Sequence, residues 1–308
     1  MSSATLPETQ RRIPVSHLLA AAAINLMWGL NIIAVKMAVS ATAPFAAAFL
    51  RQIIVLLVCL PFLRVVPGRM RELISIGVIA GAAFMIVVNL SLLVSDNLAA
   101  LAIAGQLGVP FSLILAIIFL RERIALPRAL GIGFTFFGVV LLVFDPAAAR
   151  ELPGLLLTAL GALLWAISSL IQRRLAGVPV LTIYAWVGLI GAIILAPFMV
   201  LLEPEAVRAL PQLPLRDLGW IMFSAIGSTV IGHGGVAWLL QRHPVTSVVP
   251  LMLAAPVVSI VASSLYFGTV LTPVMIAGGM IVMTGVAIIT MRSAAKSAGP
   301  ADDSRSAP

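Results

Sequence analysis

Residues 15–37 read VSHLLAAAAINLMWGLNIIAVKM, and residues 153–174 read PGLLLTALGALLWAISSLIQRR. Crossing the roughly 30 Å hydrocarbon core of a bilayer takes a helix of about 20 residues, and each stretch is long enough. Each holds a tryptophan well inside it, Trp28 and Trp165, and a basic residue near its end, Lys36 and Arg173, both pairs 137 positions apart. The correspondence continues in order along the chain. Pro61-Phe62 answers Pro197-Phe198, and Arg71-Glu72 answers Arg216-Asp217. At an offset of 146, Pro110 answers Pro256, Pro127 answers Pro273 and Gly133 answers Gly279.

Working outward from these two stretches, ten apolar runs can be counted, at about 15–37, 43–63, 72–94, 97–120, 126–144, 153–174, 179–202, 217–240, 244–267 and 272–291. Backbone edges cannot be left unpaired in lipid, and the runs are too long and too evenly apolar for barrel strands, so helices are expected. The expected fold is an all-α membrane protein of ten transmembrane helices, arranged as two five-helix repeats. A repeat with an odd number of spans enters the membrane upside down relative to its partner. Inverted repeats around a midplane site are a pattern of secondary transporters. The repeats are expected over 15–144 and 153–291. A cytoplasmic tail of residues 1–14 precedes them, and a small, polar tail of residues 292–308, expected to be disordered, follows.

The composition excludes a soluble globule. Of 308 residues 61% are hydrophobic and 10% charged, with a mean hydropathy of +1.16. Soluble domains carry about 25% charged residues. The net charge of +8 comes from residues in short loops rather than from a basic face. Topology and lipid headgroups account for it, and a nucleic-acid partner is not expected. Arg11 and Arg12 precede the first run, as in a signal peptide, but the run is too long and ends without a small-residue cleavage site. The single cysteine, Cys59, permits neither an intrachain disulfide nor a cysteine metal cluster. No metal or cofactor is expected.

Lysine and arginine fix the expected orientation, because they are retained on the cytoplasmic side. With the N-terminus inside, 14 of the 19 basic residues fall in cytoplasmic segments, and only Arg150, Arg208 and Arg216 face the other side. Both termini are therefore expected in the cytoplasm.

Trp28-Gly29-x-Asn31 with Lys36 closing the first helix, and Arg121-Glu122-Arg123 closing the fourth, resemble the EamA family of the drug/metabolite transporter superfamily. The resemblance spans about residues 15–291. It implies a basket of ten helices around a central cavity lined mainly by the first, third, fourth, sixth, eighth and ninth. It also implies export of small metabolites from bacteria across the inner membrane. One branch exports aromatic amino acids, as YddG-type proteins do.

Polar side chains are costly in hydrocarbon and tend to face a cavity or a partner helix. The first helix offers Asn25, Trp28, Asn31 and Lys36, and its repeat partner Trp165, Ser168 and Ser169. Asn89, Gln106, His233 and Trp238 complete the cavity candidates, alongside belt, packing or interhelical roles for each. Arg51 lies about eight residues into its helix, where a lone cation costs at least about 2.5 kcal/mol unless it meets water, a carbonyl or an anion. Pro110, Pro250 and Pro256 interrupt helices and suit a kink or gate. Helices five and ten are nearly bare of polar groups and are expected on the outside, facing lipid or another subunit.

No Asp or Glu lies mid-helix, and G-x-S-x-G and H-E-x-x-H are absent, so neither a catalytic site nor a carboxylate proton carrier is expected. Amino acids or their hydrophobic relatives lead as substrates. Nucleotide sugars would ask for more cations, and cationic drugs for an anion.

A reporter fused at the C-terminus is predicted to be active in the cytoplasm only. Activity on the far side would overturn the ten-helix topology.

Overall fold

The computed structural model describes residues 13–120, 124–243 and 245–297. The motif Arg121-Glu122-Arg123 and residues 1–12 and 298–308 of the tails lie outside them. Among the described residues the chain is helical, without strands. Among the described residues, nine helices are long and apolar enough to cross a bilayer. They are α1 (Val15–Ala41), α2 (Pro44–Phe62), α3 (Met70–Leu93), α4 (Leu98–Phe119), α5 (Leu126–Val143), α6 (Leu152–Arg174), α7 (Val180–Leu202), α8 (Leu215–Leu240) and, after the shorter α9 (Ala254–Phe267), α10 (Pro273–Met291).

The run expected over 244–267 is split. A short helix, Val245–Leu251, is separated from α9 by a turn at Met252 and Leu253. Pro256 has no N–H to give to the carbonyl four residues back, and Pro250 imposes the same loss six residues earlier. The matching place in α4 is irregular too: Gly105–Leu107 is a 3-10 turn just ahead of Pro110. Two further irregularities match in position. Gly77–Ala83 in α3 and Phe223–His233 in α8 are wound as π-helix, and their first residues stand at the same offset of 146. The last helix continues to Ser297, six residues beyond its expected end. Ala294, Ala295 and Lys296 are good helix formers, and no breaker occurs before Gly299-Pro300.

Three helix pairs form tight seams, one of them between α3 and α7, where a Cβ on Gly81 would run into the Val187 carbonyl. A Cβ on Gly131 would lie 2.9 Å from the Gly285 carbonyl, and one on Gly138 would lie 2.7 Å from that of Gly278, so α5 and α10 cross backbone to backbone and antiparallel. Their other faces expose Phe134, Phe137, Ile276 and Met280. Helices α2 and α7 form another seam. A Cβ on Gly188 would sit 2.8 Å from the Leu56 nitrogen, while Phe45 stacks on Phe198 with centroids 5.7 Å apart. Rising residue numbers in α2 thus meet falling ones in α7. The remaining neighbours exchange between the halves: α1 packs on α9 and α8, while α6 packs on α4 and α3.

Carboxylates tie the ends of α2, α4 and α10. Glu203 accepts from the N–H groups of Phe45 and Ala46 at the start of α2, and Glu151 from those of Asp96 and Asn97 before α4. Between α5 and α6, Asp145 accepts from the N–H groups of Ala147 and Ala148 and from the Thr272 hydroxyl ahead of α10. Burial alone would push its carboxyl up, but those donors outweigh it and hold the group below the usual carboxylate range.

Gly138→Leu should open the α5–α10 seam and lower stability by about 1–3 kcal/mol, as overpacking does. Gly133, which has nothing within 4 Å of an added Cβ, is the control, and Gly133→Ala should be neutral or stabilising. Thermal unfolding in detergent checks both.

Candidate functional site

The main cavity opens between α2, α3, α6, α7 and α8. It holds about 60 Å³, room for a few waters in the arrangement described. Its wall combines aromatic rings, amides and hydroxyls with one guanidinium. No described Asp or Glu lines it.

Arg51 is half-buried and donates from Nη2 to the Thr229 hydroxyl, 3.0 Å away. Among the described residues no carboxylate pairs with it. One turn along α8, the His233 ring sits with Nδ1 3.2 Å from the Thr229 carbonyl, a geometry that suits the tautomer protonated at Nδ1. Three rings surround this histidine. The centroids of Tyr184, Trp28 and Trp165 lie 5.1, 5.3 and 5.9 Å from its own. Phe84 extends the cluster, 5.5 Å from Trp165. The π turns of α3 and α8 border this space. A π turn swings a backbone carbonyl out of the regular ladder, and each segment has one taken by a neighbour. Trp28 Nε1 donates to the Ser228 carbonyl at 3.0 Å, and Gln52 Nε2 to the Gly81 carbonyl at 2.7 Å.

Of the residues singled out in the sequence, Arg51, Trp165, Ser168, Ser169 and His233 line this cavity. Trp28 reaches it through His233. Ser168 and Ser169 donate to the carbonyls of Leu164 and Trp165 in their own helix, which leaves their oxygens able to accept. Asn89 gives its amide to the Pro44 carbonyl and borders a second, smaller cavity.

The others stand elsewhere. Asn25 donates to the Leu251 carbonyl, freed where the chain breaks before α9. Lys36 caps the end of α3, donating to the carbonyls of Leu92 and Ser95 at 2.8 and 2.6 Å. Gln106 bonds back to Ala102 at 3.4 Å. The Asn31 Oδ1 is buried without a partner and lines neither cavity. Trp238 lies at one end of the bundle, edge-on to His17 with centroids 4.7 Å apart and with the Arg242 guanidinium 4.5 Å over its ring. Pro110, Pro250 and Pro256 sit at the irregular points of α4 and α9, not on the cavity wall.

Sequence reasoning passed over Tyr184, Gln172, Gln52 and Phe84, all of which line the cavity. Tyr184 stands one turn into α7, where a tyrosine reads as an interfacial anchor. Gln172 stands at the end of the run expected over 153–174, beside Arg173 and Arg174, where a polar side chain reads as interfacial. Gln52 carried the same signal as the other buried amides, a polar group in an apolar run, but stood beside a charge that drew the attention. The expected lining by the first, fourth and ninth helices is replaced here by α2 and α7.

The sequence profile of the EamA-like transporter family matches residues 15–144 and, a second time, 152–291. A protein of Archaeoglobus fulgidus described as an uncharacterized transporter is 28% identical over 270 residues, covering 86% of this chain and 95% of that protein. A crystal structure of a protein with 19% sequence identity superposes with a TM-score of 0.61, over 93% of this chain and 100% of that one, a likeness of fold.

If the ring cluster is part of the transport path, Trp165→Ala should lower transport severalfold with expression kept. Trp28→Phe, which loses the N–H to Ser228 and part of the ring that packs on His233, should lower thermal stability by at least about 1 kcal/mol. Transport per folded molecule, measured after size-exclusion chromatography, separates the two effects.

Proposed function

Since the chain belongs to the EamA-like transporter family, a family of multi-pass membrane transporters of small molecules, we propose that it exports amino acids across the bacterial inner membrane. Those with aromatic or hydrophobic side chains are favoured, and both termini face the cytoplasm. The observation that carries this reading is the cavity wall: Tyr184, Trp165 and Phe84 with a single described cation, Arg51, and no described carboxylate. Rings accept an apolar side chain, the guanidinium accepts a carboxylate, and the amides of Gln52 and Gln172 can accept from an amine. A nucleotide sugar carries several charges and asks for more cations. A cationic drug asks for an anion.

The mechanism is alternating access between two inverted five-helix repeats, with the short helix and α9 together completing the tenth span. Several features support it. The profile matches twice, α2 and α5 pack antiparallel on their repeat partners α7 and α10, and the other neighbours exchange between halves. The π turns and the breaks before proline recur at one offset.

Transport is facilitated diffusion, or at most weakly proton-linked. A proton antiporter needs a buried titratable group exposed alternately to both sides, and carboxylates are missing from the cavity wall described. In proteoliposomes, counterflow of an aromatic amino acid should proceed without any gradient. An imposed pH gradient, with substrate equal on both sides, should drive little net movement. Strong uphill accumulation would refute facilitated diffusion, and its loss in His233→Ala with counterflow intact would make His233 the proton carrier.

A further inference from the structure

Arg51 is the one residue that borders both cavities. The larger runs toward one end of the bundle: its walls are α3 from Ile76 to Met85, α6 from Trp165 to Gln172, the start of α7 and the second half of α8. The smaller, of about 10 Å³, runs the opposite way, among Val35 and Ala38 late in α1, Ala47 early in α2, Asn89 late in α3, and Ile221 and Ser224 early in α8. It has room for about one water. Along α2, α3 and α8 alike, the residues of the two cavities separate to opposite sides of the guanidinium.

The chemistry on each side of Arg51 is that of a donor seeking an acceptor. A guanidinium has five N–H groups in a planar fork, and the bond to Thr229 in the larger cavity uses one. In the smaller, Ser224 is 2% exposed and its Oγ has no hydrogen-bond partner. A buried hydroxyl without a partner costs on the order of 1–3 kcal/mol, so Ser224 is disposed to bond a polar group that enters this cavity. A carboxylate fits both needs, accepting from the fork and from a hydroxyl at once.

We propose that Arg51 holds the carboxylate of the cargo from both cavities in turn, with Thr229 as its companion donor in the larger and Ser224 in the smaller. The inference rests on the transport reading and deepens it. It makes the carboxylate, rather than the amine, the group that is recognised. It also gives the anion a route along which it is never without a donor, because one long side chain serves both sides. The rings of Trp165, Tyr184 and Phe84 take the apolar body of the cargo in the larger cavity.

Proteoliposomes of the full chain, preloaded with phenylalanine, are assayed for counterflow of labelled phenylalanine against two competitors. One is 3-phenylpropionate, which keeps the carboxylate and lacks the amine. The other is phenethylamine, which keeps the amine and lacks the carboxylate. The carboxylate analogue should compete nearly as well as phenylalanine and the amine at least about tenfold less well, the size of a lost charge-assisted hydrogen bond. Arg51→Gln should raise half-saturation at least about tenfold and erase the difference between the competitors, while Arg51→Lys restores it in part. Ser224→Ala should slow exchange and leave competition at the larger cavity unchanged. Equal competition by both analogues in the wild type, or discrimination that survives Arg51→Gln, overturns the proposal. The competition data decide it even if the Arg51 variants do not fold. Should vesicles preloaded with 3-phenylpropionate exchange it while phenylalanine is not moved, the amino-acid reading fails and the carboxylate anchor stands. Should phenylalanine exchange without preference for a carboxylate, the reverse holds.

Discussion

A backbone carbonyl in hydrocarbon has no water to turn to, and leaving one unbonded costs several kcal/mol. A regular helix avoids this cost, but it also gives a straight, closed rod with no opening. Among the described residues α3, α4, α8 and the stretch before α9 depart from regularity, and at three of these places a carbonyl finds a side-chain donor from a neighbouring helix. Asn25 takes the carbonyl of Leu251 where the chain breaks before α9. Trp28 and Gln52 each take one from a π turn, in α8 and α3 respectively. Lys36 takes two at the end of α3. Much of the polar content of the membrane-spanning segments is thus committed to making an irregular backbone tolerable in lipid.

That commitment explains how much of the molecule is legible in its sequence. Helix positions follow from apolar run length, and the ends shift by only a few residues, as at Ala41 and Ser297. Cost in lipid identifies the buried polar residues equally well. Their purpose is not written in helix periodicity, because a side chain that faces a cavity and one that faces a loosened carbonyl share the same local pattern. Lys36 and Arg51 illustrate the difficulty. Both are cations within apolar runs, yet one caps a helix and the other lines a cavity. The difference lies in α3, whose end reaches the first and not the second. Tyr184 and Gln172 were hidden for the converse reason: near a helix end, an amphipathic side chain is expected at the interface, whereas here both turn inward.

The irregular helices also divide the bundle mechanically. The α2–α7 and α5–α10 seams bring backbones into contact through glycines, and packing that close resists sliding. Between the seams stand α3 and α8, each with a π segment, and α4 and α9, each with a break ahead of a proline. Prolines and π turns are where helices bend. Stiffness and compliance therefore fall on different helices in α2 and α8, whereas α3 combines them, its π segment meeting α7 backbone to backbone where Gly81 faces the Val187 carbonyl.

This division bears on how an anion could cross. The guanidinium of Arg51 projects from α2, a member of a stiff seam, while its companion donors Thr229 and Ser224 both stand in the π-wound part of α8, five residues apart. If the compliant helix shifts and the stiff one does not, the cation stays in place while the surrounding donors are exchanged. A bound carboxylate then keeps its strongest partner throughout and changes only its weaker one. The hydrogen bonding given up is then one hydroxyl bond traded for another, each worth about 1 kcal/mol in net terms, rather than every donor to the charge. A fixed cation beside a movable donor helix therefore suits the passing of an anion through a layer of hydrocarbon, and it needs no second charge in the membrane.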